Sequence, residues 1–177
     1  MARAPRFGPH RYEYELGRRN YNVVIGVTEF VAETKQRIAG VVRQSVQDVF
    51  DIASTDVGKG GKMRVDTGFL RASGKISLTG MPTGPGRGER TEPNSYPYNR
   101  DIAVAELKNF KTGQSIFTGW TANYAKYREA YDGFLWSALQ NWSQIVADNC
   151  RKLQGRIEAR RAREMRAGTN TGRGPII

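Results

Sequence analysis

The sequence predicts an α+β fold: a long N-terminal helix, a small curved antiparallel sheet and a long C-terminal helix, with extended basic termini. Two stretches carry apolar residues at three- and four-residue steps, and they flank a glycine- and proline-rich middle that contains short alternating runs. Over residues 28–53, Phe30, Val31, Ile38, Val41, Val42, Val49 and Ile52 recur at helical spacing with polar residues between them. Thr28 suits the N-cap of this helix, and Glu29 and Glu33 suit the positive end of its dipole. Asp56-Val57-Gly58-Lys59-Gly60-Gly61 ends it.

Residues 63–73 and 75–78 are expected to be extended, with Ile76 and Leu78 alternating against Ser77. Residues 101–107 and 115–121 supply two more strands, the second bearing Ile116, Phe117 and Trp120. Between them, Asn109-Phe110-Lys111-Thr112-Gly113 has the length and the glycine of a hairpin loop. The last helix is expected over residues 133–165, on a stripe of Leu135, Leu139, Trp142, Ile145, Val146, Leu153 and Ile157. The stripe fades as arginines begin, so the helix should leave the core near Leu153 and run into solvent or onto a neighbour. Residues 168–177 are expected to form a polar tail.

The chain thus divides into a basic arm (1–26), one domain (27–157) and a basic helix end with its tail (158–177). With 177 residues, 38% of them hydrophobic and 10% aromatic, one modest core is expected. No apolar run is long enough to cross a membrane, and no hydrophobic segment follows the first residues, so the expectation is a protein kept in a cytosol-like compartment. One cysteine, Cys150, and one histidine, His10, provide neither an internal disulfide nor a Cys/His metal site. Beside the apolar stripe, Cys150 is expected to be a packed small residue.

The net charge is +11 and lies at the ends. Arg151, Lys152, Arg156, Arg160, Arg161, Arg163 and Arg166 face only Glu158 and Glu164 in their segment, and Arg3, Arg6, Arg11, Arg18 and Arg19 gather at the other end. Such clusters draw in any polyanion regardless of its sequence, although a solvated helix face has the same composition.

Two groupings invite a catalytic reading. The glycines of residues 80–88 are not followed by Gly-Lys-Ser/Thr, which argues against a P-loop. Asp101 with Glu106 and Lys108 has the residue types of a metal nuclease, but a regular strand would place Asp101 and Glu106 on opposite faces. No catalytic residue, metal or cofactor is therefore expected. Residues 80–100 form a long loop with four prolines, a charged tip at Arg87 and Arg90, and docking residues in Tyr96 and Tyr98. It is expected to order against an adjacent subunit or a central channel.

The sharpest patterns are Val65-Asp66-Thr67-Gly68-Phe69-Leu70-Arg71-Ala72-Ser73 and Asn123-Tyr124-Ala125-Lys126-Tyr127-Arg128-Glu129. In the first, the Asp66 carboxylate suits backbone N–H groups of a turn, Thr67-Gly68 lets the chain reverse, and Phe69 and Leu70 are apolar anchors. Arg71 is placed to pair with a carboxylate, for which Glu129 is a candidate. Tyr124 and Tyr127 are spaced as neighbours on a helical turn. Trp120, Trp136 and Trp142 suit the core or a subunit interface.

Together the two segments resemble the VDTGxLRAS and YAxYxE signatures of the neck and tail-component proteins of long-tailed bacteriophages. The resemblance runs in order over residues 27–147, except that residues 130–139 replace the family's proline-rich turn. It implies a structural virion protein at the head–tail junction: a tail terminator or tail-completion ring that caps the tail tube, joins it to the head and lets DNA pass. A homo-oligomer follows, hexameric in preference to dodecameric, touching a head-closure or adaptor protein, the tail tube protein and, transiently and without sequence preference, phage DNA. Asp66, Thr67, Gly68, Leu70, Arg71, Tyr124, Tyr127 and Glu129 would lie between subunits, Arg87, Arg90, Tyr96 and Tyr98 in the loop contact, and Arg156, Arg160, Arg161, Arg163 and Arg166 towards DNA. The alternatives are a head-closure or portal-adaptor ring and, from other classes, a basic nucleic-acid-binding module or a metal nuclease.

Overall fold

The computed structural model describes residues 10–170, with side chains described over 27–166. Its architecture is α+β, built on two long helices, α1 (His10–Ala53) and α6 (Trp142–Asn170). Between them come the short helix α2 (Phe69–Ala72), strand β1 (Gly74–Ser77), α3 (Arg100–Ala103), a 3-10 helix (Ala105–Asn109), strand β2 (Phe117–Trp120), α4 (Ala125–Asp132) and α5 (Phe134–Gln140).

Helix α1 begins well before Thr28, so most of the expected basic arm from His10 onwards is its first turns; Arg3 and Arg6 lie outside the described residues. No proline lies between His10 and Thr28, and without a breaker the backbone ladder continues through a residue that would otherwise cap. At 44 residues the helix is about 66 Å long. Among its described side chains those that are buried lie in its C-terminal part: Ala39, Ser45, Val49, Phe50 and Ala53.

The sheet is antiparallel and has two strands, with Gly74 opposite Trp120 and Ser77 opposite Phe117. The strand expected over 101–107 is instead α3 and a 3-10 helix. Asn99 explains the change: its carboxamide oxygen accepts from the N–H groups of Asp101 and Ile102, which starts a helix where alternation suggested a strand. Residues 109–113 accordingly join that 3-10 helix to β2, and the hairpin expected there is absent. Residues 63–73 are likewise only partly extended, because α2 turns within them.

The core has two parts that meet at Trp120. Val49, Met63, Phe69, Leu70, Phe134 and Ala138 form one, and Phe50, Ile76, Val104 and Leu107 form the other. The Trp120 indole stacks on Phe50 at 5.3 Å and meets Phe134 edge-on at 5.0 Å. Gly74 sits against this stack: a Cβ there would lie 2.6 Å from Trp120 Nε1 and 2.9 Å from Phe50 Cζ.

The expected C-terminal helix is two helices, broken at Asn141, whose side-chain amide donates to the Ser137 carbonyl and competes with the regular ladder. Helix α6 then runs antiparallel to α1. Buried Asn149 donates from Nδ2 to Ser45 Oγ at 3.2 Å and to Asp48 Oδ2 at 2.8 Å, and further along Arg160 comes beside Glu33. Among the described residues the last buried side chain of the helix is that of Asn149, so it leaves the core near Leu153 as expected, but it does not run free into solvent. It stays beside α1 to Glu164, with a groove between the two whose floor includes Val41, Leu153 and Ile157. Cys150 is exposed, contrary to expectation, because it lies one position past the inward-facing Asn149. Trp136 and Trp142 are exposed as well, while Trp120 belongs to the core.

Among the described residues no helix is long and apolar enough to cross a membrane, and no group of three or more His, Cys, Asp or Glu side chains is placed to hold a metal ion.

Candidate functional site

The two motif segments, remote in sequence, come together. Residues 63–68 lead out of the glycine-rich break, pinned at their start by a bridge between Asp56 and Met63, and turn sharply into α2 at Gly68. Gly68 has φ +85°, and a Cβ on it would stand 2.6 Å from the Tyr96 carbonyl oxygen, so both conformation and contact require glycine. The next two side chains, Phe69 and Leu70, are 8% and 4% exposed and anchor the turn in the core. Phe69 then meets Tyr124 of the second segment, ring centres 6.4 Å apart, and Tyr96 of the loop, edge-on at 5.1 Å.

The long loop straps both segments. Asn94 N donates to the Asp66 carbonyl and Tyr96 N to the Thr67 carbonyl, while Asn123 N, at the head of the second segment, donates to the Gly86 carbonyl. The Thr121 hydroxyl adds a bond to the Pro85 carbonyl at 3.1 Å. At its far end the loop is tied to α1 by Arg100, whose guanidinium makes a forked pair with Asp51, Nε to Oδ1 at 2.7 Å and Nη2 to Oδ2 at 2.7 Å. Within this protein the loop is thus packed on its own chain; Arg87 at its tip is exposed.

Several expected roles are redistributed. The Asp66 hydrogen bond across the site runs through its carbonyl oxygen, and the Thr67 hydroxyl takes the turn N–H, that of Phe69 at 3.3 Å. Arg71 does not pair with Glu129. Its guanidinium lies over the Tyr98 ring at 5.4 Å, with Nε buried and without an acceptor among the described residues. Glu129 instead caps α5: its carboxylate accepts from Leu135 N and Trp136 N, both at 2.8 Å, across the left-handed Gly133 that joins α4 to α5. A carboxylate just before a glycine break and a new apolar run is the sequence signal for that cap. Tyr127 is exposed, with Lys126 Nζ 4.8 Å above its ring.

Three residues not anticipated in the site are Arg64, Arg128 and Asp132. Arg128 and Asp132 form an ion pair within α4, and Arg64 reaches the same carboxylate at 3.6 Å. The four-residue spacing of Arg128 and Asp132 was the available signal. The result is a concave surface of about 570 Å³ over residues 64–71, closed on one side by the loop and on another by α4. Burial holds the Tyr124 phenol above its ordinary pKa, opposed by the Leu70 backbone. Burial likewise raises Tyr98, with the Ser54 hydroxyl acting in the opposite direction and the Asp51 carboxylate adding to it.

The terminal arginines lie elsewhere. Arg156, Arg160, Arg161 and Arg163 are exposed on α6; Arg160 pairs with Glu164 at 2.7 Å, and Arg166 is also exposed. Glu106, the carboxylate of the nuclease alternative, accepts from Leu78 N at 3.0 Å. No family model, no curated protein and no solved structure matches this chain.

Proposed function

We propose that this protein is a structural component of the neck of a tailed bacteriophage, a tail terminator or tail-completion ring that caps the tail tube, joins it to the head and leaves a passage for DNA. The observation that supports this reading is the convergence of the two signature segments on one face, Phe69 against Tyr124, with the long loop strapped over both. The two signature segments thus form one structural unit built of turn, anchor and cap, which suits an assembly element. The exposed arginines of α6 would line the passage as sequence-independent phosphate contacts, a role in which specificity would only hinder transit.

The test is made on particles. Purified virions are expected to contain the chain, and a reconstruction of the neck is expected to place six copies in a ring with the motif face between subunits. Absence from virions, or an isolated copy with no neighbouring subunit, would overturn the proposal. Reversing the charge of Arg160 and Arg161 separates DNA contact from protein contact: particles that assemble but lose DNA support the passage role, and heads that fail to join tails assign these residues to a protein interface.

A further inference from the structure

We propose that the concavity over residues 64–71 is a receptor for an acidic, partly apolar peptide segment of a partner protein, with a carboxylate side chain seated between Arg71 and Arg90. The inference rests on the chemistry of the concavity and stands whether or not the chain belongs to a phage neck.

The charge there is one-sided. Arg64, Arg71, Arg90 and Arg128 line the concavity, and Asp66 is the single carboxylate among its lining residues. Asp132, set behind them and only 9% exposed, takes up Arg128 and Arg64. Arg71 and Arg90 are left without an ion pair among the described residues, and each is held in place by a tyrosine of the same loop. Arg71 lies 5.4 Å over the Tyr98 ring, and Arg90 lies 5.7 Å over the Tyr96 ring while donating from Nη1 to the Ser95 carbonyl at 3.0 Å. Rings and backbone thus preorganise two guanidinium groups that no carboxylate of the described residues neutralises. For Arg71 the lack is sharper, since its Nε is buried with no acceptor among the described residues. A guanidinium partly removed from water and unpaired is the arrangement in which an incoming carboxylate gains most.

The shape selects the kind of anion. Val65, partly exposed, and Tyr124, 38% exposed, also line the concavity, so a ligand with a charge alone would leave apolar wall uncovered. A glutamate or aspartate beside an aliphatic residue satisfies both surfaces. A nucleic-acid backbone does not: duplex phosphates lie on a convex rod and call for exposed cations, as on α6, whereas Arg71 is half-buried beneath the loop.

The experiment uses the full chain and three probes: a fluorescein-labelled short peptide of alternating glutamate and leucine, its glutamine isostere, and a short DNA duplex. Anisotropy is expected to show binding of the acidic peptide alone through this site. Affinity should weaken by about tenfold in Arg71→Gln and again in Arg90→Gln, the loss expected for a charged hydrogen bond. It should be unchanged in the Arg160→Gln/Arg161→Gln double variant, which removes charge elsewhere. In the unsubstituted protein the Nε–Hε resonance of Arg71 should move as the acidic peptide is added. Since Arg71→Gln alters a half-buried position, the exposed Arg90→Gln decides the outcome if the first variant does not fold. Equal binding of the glutamine isostere, equal loss in the Arg160/Arg161 variant, a shift of the Arg71 signal caused by the duplex instead, or no peptide binding would each overturn the proposal.

Discussion

Along α1, Ala39, Ser45, Val49, Phe50 and Ala53 are buried where α5, α6 and the Trp120 ring of β2 pack, whereas Val27, Phe30, Val31 and Ile38, earlier on the same helix, are between 42% and 65% exposed. Both halves carry apolar residues at helical spacing. What separates them is the company they keep. The later half meets Trp120, Phe134 and Asn149, while the earlier half is accompanied by the arginine-rich end of α6, which offers Leu153 and Ile157 and otherwise charge. Periodicity therefore defines where a stripe points, and the supply of apolar partners decides whether it is covered.

The comparison can be broken most directly by truncating one phenylalanine in each half. Phe50→Ala removes a fully buried ring and its stack with Trp120, and is expected to cost about 3–5 kcal/mol in urea unfolding. Phe30→Ala, at a position 65% exposed, is expected to shift stability by no more than about 0.5 kcal/mol. A large, concentration-dependent loss in Phe30→Ala would show that the earlier half is covered by another molecule in solution.

Two glycines sharpen the contrast. Gly74→Ala presses a methyl group into the Phe50–Trp120 stack and should destabilise by about 1–3 kcal/mol. Gly40→Ala lies on α1 where an added Cβ meets nothing within 4 Å, so the helix should gain about 0.5–1 kcal/mol from reduced unfolded-state freedom. Opposite signs in thermal midpoints check the pair; a loss in both would mean that the groove beside Gly40 is occupied.

Asn149→Ala deletes the donor to Ser45 and Asp48 and leaves the buried Ser45 hydroxyl without it, for an expected loss of about 1–2 kcal/mol. Arg160→Ala, on the same helix but exposed, should give no change resolvable by the same measurement.

The smallest effect concerns pH. Burial raises the pKa of Tyr98 and Tyr124, so the unfolded chain loses these phenolic protons first, near the ordinary value of about 10. Stability from keeping them neutral is present below that pH and is lost as pH rises through the folded-state values. Urea midpoints followed from about pH 9 to 11 should fall, and Tyr98→Phe should flatten part of the fall; an unchanged slope in that variant would remove Tyr98 from the account.

Much of the candidate site was legible in the chain. Thr67-Gly68 marked a reversal and Phe69-Leu70 an anchor, because a left-handed turn and a buried pair are local demands that residue type expresses directly. The partner of Arg71 was not legible. A guanidinium reaches any carboxylate or ring the fold presents, and the choice of Tyr98 over Glu129 depended on how the long loop lay down. Asn99 marks the related limit for residues 101–107: an apolar alternation too short to distinguish strand from helix was decided by a cap at its edge.

By itself the sequence determined the α+β class, the two long helices, the second strand around Phe117 and Trp120, and the reversal at Thr67-Gly68, all consequences of short-range spacing and side-chain type. Tertiary structure alone decided that the proline-rich loop straps two remote segments and that α6 continues beside α1 past Leu153. It also decided which arginines find a carboxylate and which do not. Those outcomes follow from long-range packing, in which a residue's neighbours are supplied by other elements, and no local pattern encodes who they will be.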